Sequence, residues 1–182
     1  MPDSRSHLVV IGGRSGVGKT SVAAEMHEQL AAAKVQHALI EGDALDLAWP
    51  APWEHGLAER NLAAIWRNYR ELGYRRLIYT NTVSVLEIKT LADAMGDDPQ
   101  VTAILLICND DTAAGRLSGR EIGSGLDTHI ARSSQRAQEL NQHANEQVIR
   151  VATDSRDVID IAREVIEIAG WNPTDEGQND YE

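Results

Sequence analysis

The feature that most constrains this chain is an eight-residue stretch near its start, Gly13-Arg14-Ser15-Gly16-Val17-Gly18-Lys19-Thr20. It matches G-x-x-x-x-G-K-[ST] at every specified position. The apolar run Leu8-Val9-Val10-Ile11 precedes it and reads as a buried strand. A helical pattern follows from about Lys19 to Ala33, in which Val22, Met26, Leu30 and Ala33 recur at spacings of four, four and three. Glycines between a strand and a helix let the backbone curl until successive N–H groups point inward at phosphate oxygens. The helix N-terminus adds partial positive charge at the same place. Lysine occurs only at positions 19, 34 and 89, so one of three lysines sits in this loop. Phosphate binding is therefore expected here.

The rest of the chain alternates short apolar runs with amphipathic stretches. His37-Ala38-Leu39-Ile40 reads as a second strand, closed by Glu41-Gly42-Asp43. Trp49-Pro50-Ala51-Pro52-Trp53 cannot continue a helix, because proline lacks the amide hydrogen and restricts its predecessor. Helical spacing returns from about Leu57 to Leu72, with Trp66 on the apolar face. Arg76-Leu77-Ile78-Tyr79 is a third strand, followed by a helix from about Val83 to Met95. Ala103 to Cys108 is the most apolar strand, and Asp110 or Asp111 is expected to cap the short helix after it. A helix from about Thr128 to Asn145, a strand Gln147–Val151 and a helix from about Ser155 to Ala169 complete the pattern. Five strands alternating with helices predict an α/β, three-layer αβα sandwich with a parallel sheet.

Composition narrows the function. At 182 residues and 19.9 kDa, residues 1–171 suit one domain, and 42% apolar residues suffice for a core. The formal net charge of −11 disfavours nucleic-acid polymers and anionic membranes as partners. No apolar run approaches membrane-spanning length and no leader pattern opens the chain, so a cytoplasmic location is expected. Cys108 is the only cysteine, so no internal disulfide can form. It is expected to be inert core. The six histidines are scattered without metal-ligand spacing. The polar, acidic segment 172–182 offers little to bury and is expected to lie outside the fold.

With its phosphate loop, its length and its later arginines, the chain resembles the small P-loop kinases. That group includes nucleoside monophosphate, shikimate, gluconate and adenylylsulfate kinases and chloramphenicol phosphotransferase. The resemblance spans about residues 7–170 and implies a five-stranded parallel sheet in the order 2-3-1-4-5. It also implies ATP and Mg²⁺, with the acceptor opposite ATP. Gly13, Arg14, Ser15, Gly16, Val17, Gly18, Lys19, Thr20 and Ser21 would surround the phosphates. Lys19 would reach the β- and γ-phosphates, and Thr20 would ligate Mg²⁺.

The acceptor region is expected at about 44–75. Asp43 ends the second strand, where ligands of open α/β sheets bind, and a carboxylate there can accept the proton of an attacking hydroxyl. Asp46 is a second candidate. Trp49, Trp53 and Trp66 are candidates for an apolar or stacking pocket, with Trp66 favoured as core. Arg60, Arg67 and Arg70 are candidates for an anionic acceptor, or else form a solvated helix face. The third strand ends Thr80-Asn81-Thr82 with no aspartate, which counts against switch GTPases and motor ATPases. Glu87 is either an acceptor contact or a surface residue.

A lid is expected at about 112–136. It holds Arg116, Arg120, Arg132 and Arg136 against only Glu121 and Asp127. Arg116 and Arg120 are the expected pair over the transferring phosphoryl, and Arg116 is alternatively a stacking partner for adenine. Gly115, Gly119, Gly123 and Gly125 are expected hinges. The loop Thr153-Asp154-Ser155-Arg156 is expected to frame adenine. The expected activity is transfer of the ATP γ-phosphoryl to a small-molecule acceptor, with a hydroxyl favoured because a base at Asp43 would serve it. A nucleoside or nucleotide kinase is one alternative. An ATP-binding regulatory or resistance protein without a small-molecule acceptor is another.

Overall fold

Leu8 and Val10 point to one side of the first strand, and Val9 and Ile11 to the other. All four are fully buried. That strand must therefore be covered on both faces. The computed structural model, which describes residues 5–119 and 126–172, has this arrangement. Strand β1 (His7–Gly12) lies at the centre of a sheet with β2 (Ala38–Glu41), β3 (Arg76–Thr80), β4 (Gln100–Ile107) and β5 (Ile149–Ala152). The order is β2-β3-β1-β4-β5, all parallel, with Val9 opposite Ile78 on one side and Thr102 on the other.

Helices α1 (Lys19–Ala32) and α6 (Val158–Ile168) cover one face. Met26, Leu30, Val165 and Ile166 pack there on Val9 and Ile11. Helices α2 (Leu57–Glu71), α3 (Ile88–Met95) and α5 (Leu126–His143) supply the other face. Leu62, Trp66, Leu91 and Leu140 meet Leu8 and Val10 on that side. Helix α4 (Asp110–Ser118) lies beside the glycine-rich loop.

The expected order of strands and the layer arrangement are as observed, and two local details differ. The stretch after β3 is not one helix from Val83. A 3₁₀ turn at Ser84–Leu86 comes first, and α3 begins at Ile88. The Asn81 side chain accepts from the Val83 amide at 2.9 Å, and the Ser84 hydroxyl donates to the Asn81 carbonyl at 2.9 Å. Such local side-chain bonds offer the backbone an alternative to the helix ladder. The N-cap of α4 is Asn109, whose side chain accepts from Thr112 N at 2.7 Å, rather than Asp110 or Asp111. Position 109 precedes the first helical turn, where an acceptor can reach the open amides.

Trp66 is fully buried on α2 and its indole N–H has no hydrogen-bond partner among the described residues. Its contribution is thus packing, and it holds α2 against the sheet. Trp66→Ala should lower the unfolding free energy by about 3–5 kcal/mol in denaturant titration. A loss below about 1 kcal/mol would contradict this placement.

Candidate functional site

The glycine-rich loop is held by its carbonyls. Gly13, Gly16 and Gly18 take positive φ values of 145, 82 and 105°. A side chain at Gly16 would meet the Ala113 carbonyl at 2.8 Å, so α4 packs too closely for anything larger. Five consecutive loop carbonyls then accept hydrogen bonds. The Lys19 ammonium donates to those of Gly13 and Arg14 at 2.8 and 3.2 Å. The Ser133 hydroxyl donates to Ser15 at 2.8 Å. The Arg116 guanidinium donates to Gly16 and Val17 at 3.4 and 3.0 Å, and the Thr153 hydroxyl adds a bond to Val17 at 3.1 Å.

The amides behave differently. Gly13 N donates to Thr82 O and Val17 N to Arg14 O. Those of Arg14, Ser15, Gly16 and Gly18 donate to no carbonyl among the described residues. A concave run of unpaired N–H groups at the start of α1 is an anion-binding arrangement. Thr20 is exposed on the first turn of α1 beside it.

The side chains of the loop divide by role. Arg14 turns inward and is almost fully buried. Its Nε donates to Ser133 Oγ at 2.9 Å, and it pairs with Asp110. The hydrogen bond from Arg14 holds the Asp110 carboxyl below the usual range. The Arg14 side chain thus ties the loop to α4 and α5, leaving its backbone amide for a ligand. Asp154 binds the Asn109 amide at 3.1 Å and is also held low, first by a hydrogen bond from Thr112.

A cavity of about 420 Å³ opens on the far side of Gly18, lined by Ser21, Arg116, Gly119, Thr153 and Arg156. Arg116 also donates to the Thr153 hydroxyl and carbonyl, at 3.0 and 3.1 Å. Arg156 pairs with Glu164 at 2.6 Å on the rim. Arg116 is thus seated between the loop and β5, facing this cavity. Arg132 and Arg136 of α5 line a separate recess of about 260 Å³ with Ser15 and Thr82. Sequence spacing gave these two arginines no priority, because a helix face pointing at a loop is invisible without the packing of α5. Arg120 and the expected hinges Gly123 and Gly125 lie outside the described residues.

A third cavity, of about 540 Å³, lies beyond β2 and β3. Asp43, Asp46, Glu59 and Glu87 line it, with Tyr79 and Asn81. Asn81 Nδ2 donates to Asp43 Oδ1 at 2.7 Å, while its own amide donates to Ile11 O at the end of β1. The turn that carries Asn81 and Thr82 therefore joins the Asp43 side to the glycine-rich loop. Gly42 has no room for a side chain, because a Cβ there would strike the Tyr79 hydroxyl. Glu87, read from sequence as acceptor contact or surface, faces this cavity. Burial, then Glu59 and Asp46, push its carboxyl up.

The expected arginines are elsewhere. Arg70 bonds Ser6 and Asp97, and Arg60 and Arg67 are exposed and outside the cavity. Trp66 is core, and Trp49 is 95% exposed. The Trp53 side chain lies outside what the structure describes. Cys108 follows the end of β4 and is partly buried, packed against the edge of the core, and burial raises its thiol pKa. No three acidic, histidine or cysteine residues among those described come together to hold a metal, and no described helix is long and apolar enough to cross a membrane.

No family model matches the chain, and no curated protein matches it. Solved structures do. A tunicamycin resistance protein from Deinococcus radiodurans is 23% identical with a TM-score of 0.63, over 91% of this chain and 96% of that one. A gluconokinase from Sinorhizobium meliloti is 18% identical with a TM-score of 0.58, over 92% and 93%. The APS kinase of Mycobacterium tuberculosis, in complex with AMPPNP and APS, is 19% identical with a TM-score of 0.55, over 91% and 98%. The fold is that of the P-loop kinase group.

Ser133 bridges Arg14 Nε and Ser15 O, so its loss leaves two polar groups without a partner. Ser133→Ala should cost about 1–3 kcal/mol in stability. An unfolding curve within about 0.3 kcal/mol of wild type would contradict the bridge.

Proposed function

We propose that this chain, built on the fold of the small-molecule P-loop kinases, moves the γ-phosphoryl group of ATP to a hydroxyl of a small molecule. The observation that carries the proposal is the glycine-rich loop, with its carbonyls occupied and four amides open. Those amides and the α1 N-terminus would hold the β- and γ-phosphates. Lys19 lies over the loop carbonyls and would turn its ammonium to the phosphates. The cavity beside Arg116, Thr153 and Arg156 would take adenine.

The residues fit a magnesium ion carried in with ATP. Thr20 would offer a hydroxyl from the exposed first turn of α1, with phosphate oxygens and water completing the shell. When bound, the ion would neutralise phosphate charge. The 540 Å³ cavity would hold the acceptor. Its hydroxyl oxygen would bond to the γ-phosphorus as the bond to the β-phosphate oxygen breaks. The hydroxyl proton would pass to Asp43, which Asn81 holds in place. ADP and a phosphate monoester would leave. Arg132 and Arg136 face Ser15 from α5 and would steady the transferring oxygens, as Arg120 would from the lid.

Two variants test this. Lys19→Ala should abolish turnover, and unchanged turnover would refute the loop assignment. Asp43→Asn should lower kcat by about 10²–10⁴-fold while ATP affinity is kept. Equal kcat would remove the proposed base. ATP binding without phosphorylation of any metabolite, nucleotide or antibiotic would favour an ATP-dependent binding protein instead.

A further inference from the structure

The acceptor cavity has one sign of charge. Asp43, Asp46, Glu59 and Glu87 come from the turn after β2, the first turn of α2 and the turn before α3. No lysine, arginine or histidine lines the cavity among the described residues. The carboxylates do not converge as metal ligands do, because no three of them sit close enough to hold an ion. They are spread around a space of about 540 Å³, the size of a small organic ligand.

Tyr79 supplies a second, independent sign of a ligand. Its side chain is 97% buried, which leaves 3% exposure, and it lines this cavity. Its hydroxyl is neither bonded to another described residue nor among the buried atoms left without a partner, so it reaches the cavity. Burial, then Glu87, Asp43, Glu59 and Asp46, raise its pKa, so it remains a protonated donor among carboxylates. The phenol ring is buried while its hydroxyl opens to the cavity, where it can donate to a ligand.

We infer that the acceptor is a cationic polyol, a hydroxyl compound bearing two or more ammonium groups in the manner of an amino sugar or aminocyclitol. This rests on the phosphotransfer reading for its word acceptor, but its charge selection stands on the cavity alone. Each ammonium brings three donors to carboxylates that only accept. A low-dielectric cleft of one sign concentrates such cations and repels carboxylate- or phosphate-bearing molecules. Asp43 would take the hydroxyl to be phosphorylated. Asp46, Glu59 and Glu87 would seat the ammonium groups, and Tyr79 would bond a ring hydroxyl.

Calorimetry and a phosphoryl-transfer assay on the full chain with ATP and Mg²⁺ test this, using 2-deoxystreptamine, kanamycin, fully N-acetylated kanamycin, gluconate and shikimate. Kanamycin or 2-deoxystreptamine should bind and be phosphorylated. N-acetylation should weaken binding by at least about tenfold, as should Asp46→Asn combined with Glu59→Gln, while ATP affinity holds. The N-acetyl arm needs no altered protein, so a folding defect in the variant cannot decide the result. Equal or tighter binding of the acetylated or anionic probes, or no binding of either amine, would overturn the inference. Amine binding at the tested strength without phosphoryl transfer would leave the charge selection standing and bring down the phosphotransfer reading.

Discussion

The structure depends on how the carbonyls of residues 13–17 are satisfied. A peptide group turned so that its N–H faces an open cleft must turn its C=O the other way, into protein. There the oxygen needs a donor. Lys19, Ser133, Arg116 and Thr153 supply those donors from four separate places in the chain. The loop is therefore shaped by tertiary contacts and not by its glycines alone. The glycines permit the positive φ values, and the donors hold them.

This explains why Arg14 and Arg116 have structural partners at a site otherwise open to solvent. Arg14 runs under the loop to Ser133 and Asp110, and Arg116 closes its other end against β5. Both place positive charge beneath the nest of amides without entering it, in a chain whose net charge is −11. Across the turn at Asn81 and Thr82 the sign reverses, and the second cavity is walled by carboxylates. Between the two lie hydrogen bonds from the Asn81 side chain to Asp43 on one side and from the Gly13 amide to the Thr82 carbonyl on the other. A cleft of this form can hold a polyanion and a polycation against each other, which the total charge alone conceals.

Much of this was legible in the sequence. The loop motif, the alternation of Leu8 and Val10 with Val9 and Ile11, and the helical spacing of Val22, Met26 and Leu30 carry the sheet and its two layers. Asp43 was legible because a residue just past a parallel strand has one place to go. Less local features were hidden. Ser133 reads as an ordinary polar residue on a helix, and only the packing of α5 on the loop gives it two partners. Glu59 and Glu87 belong to different elements, so their approach to Asp46 has no spacing signature. Arg60, Arg67 and Arg70 looked suited to an anionic acceptor, yet the apolar face of α2, set by Leu62 and Trp66, turns them away from the cavity.

The central claim is that the open amides of the loop are the phosphate site. Amide chemical shifts during titration with ATP and Mg²⁺ report on it residue by residue. The account predicts large downfield shifts of the Arg14, Ser15, Gly16 and Gly18 amide protons, saturating together with nucleotide binding. Saturation of ATP binding with those four amides unmoved would contradict it.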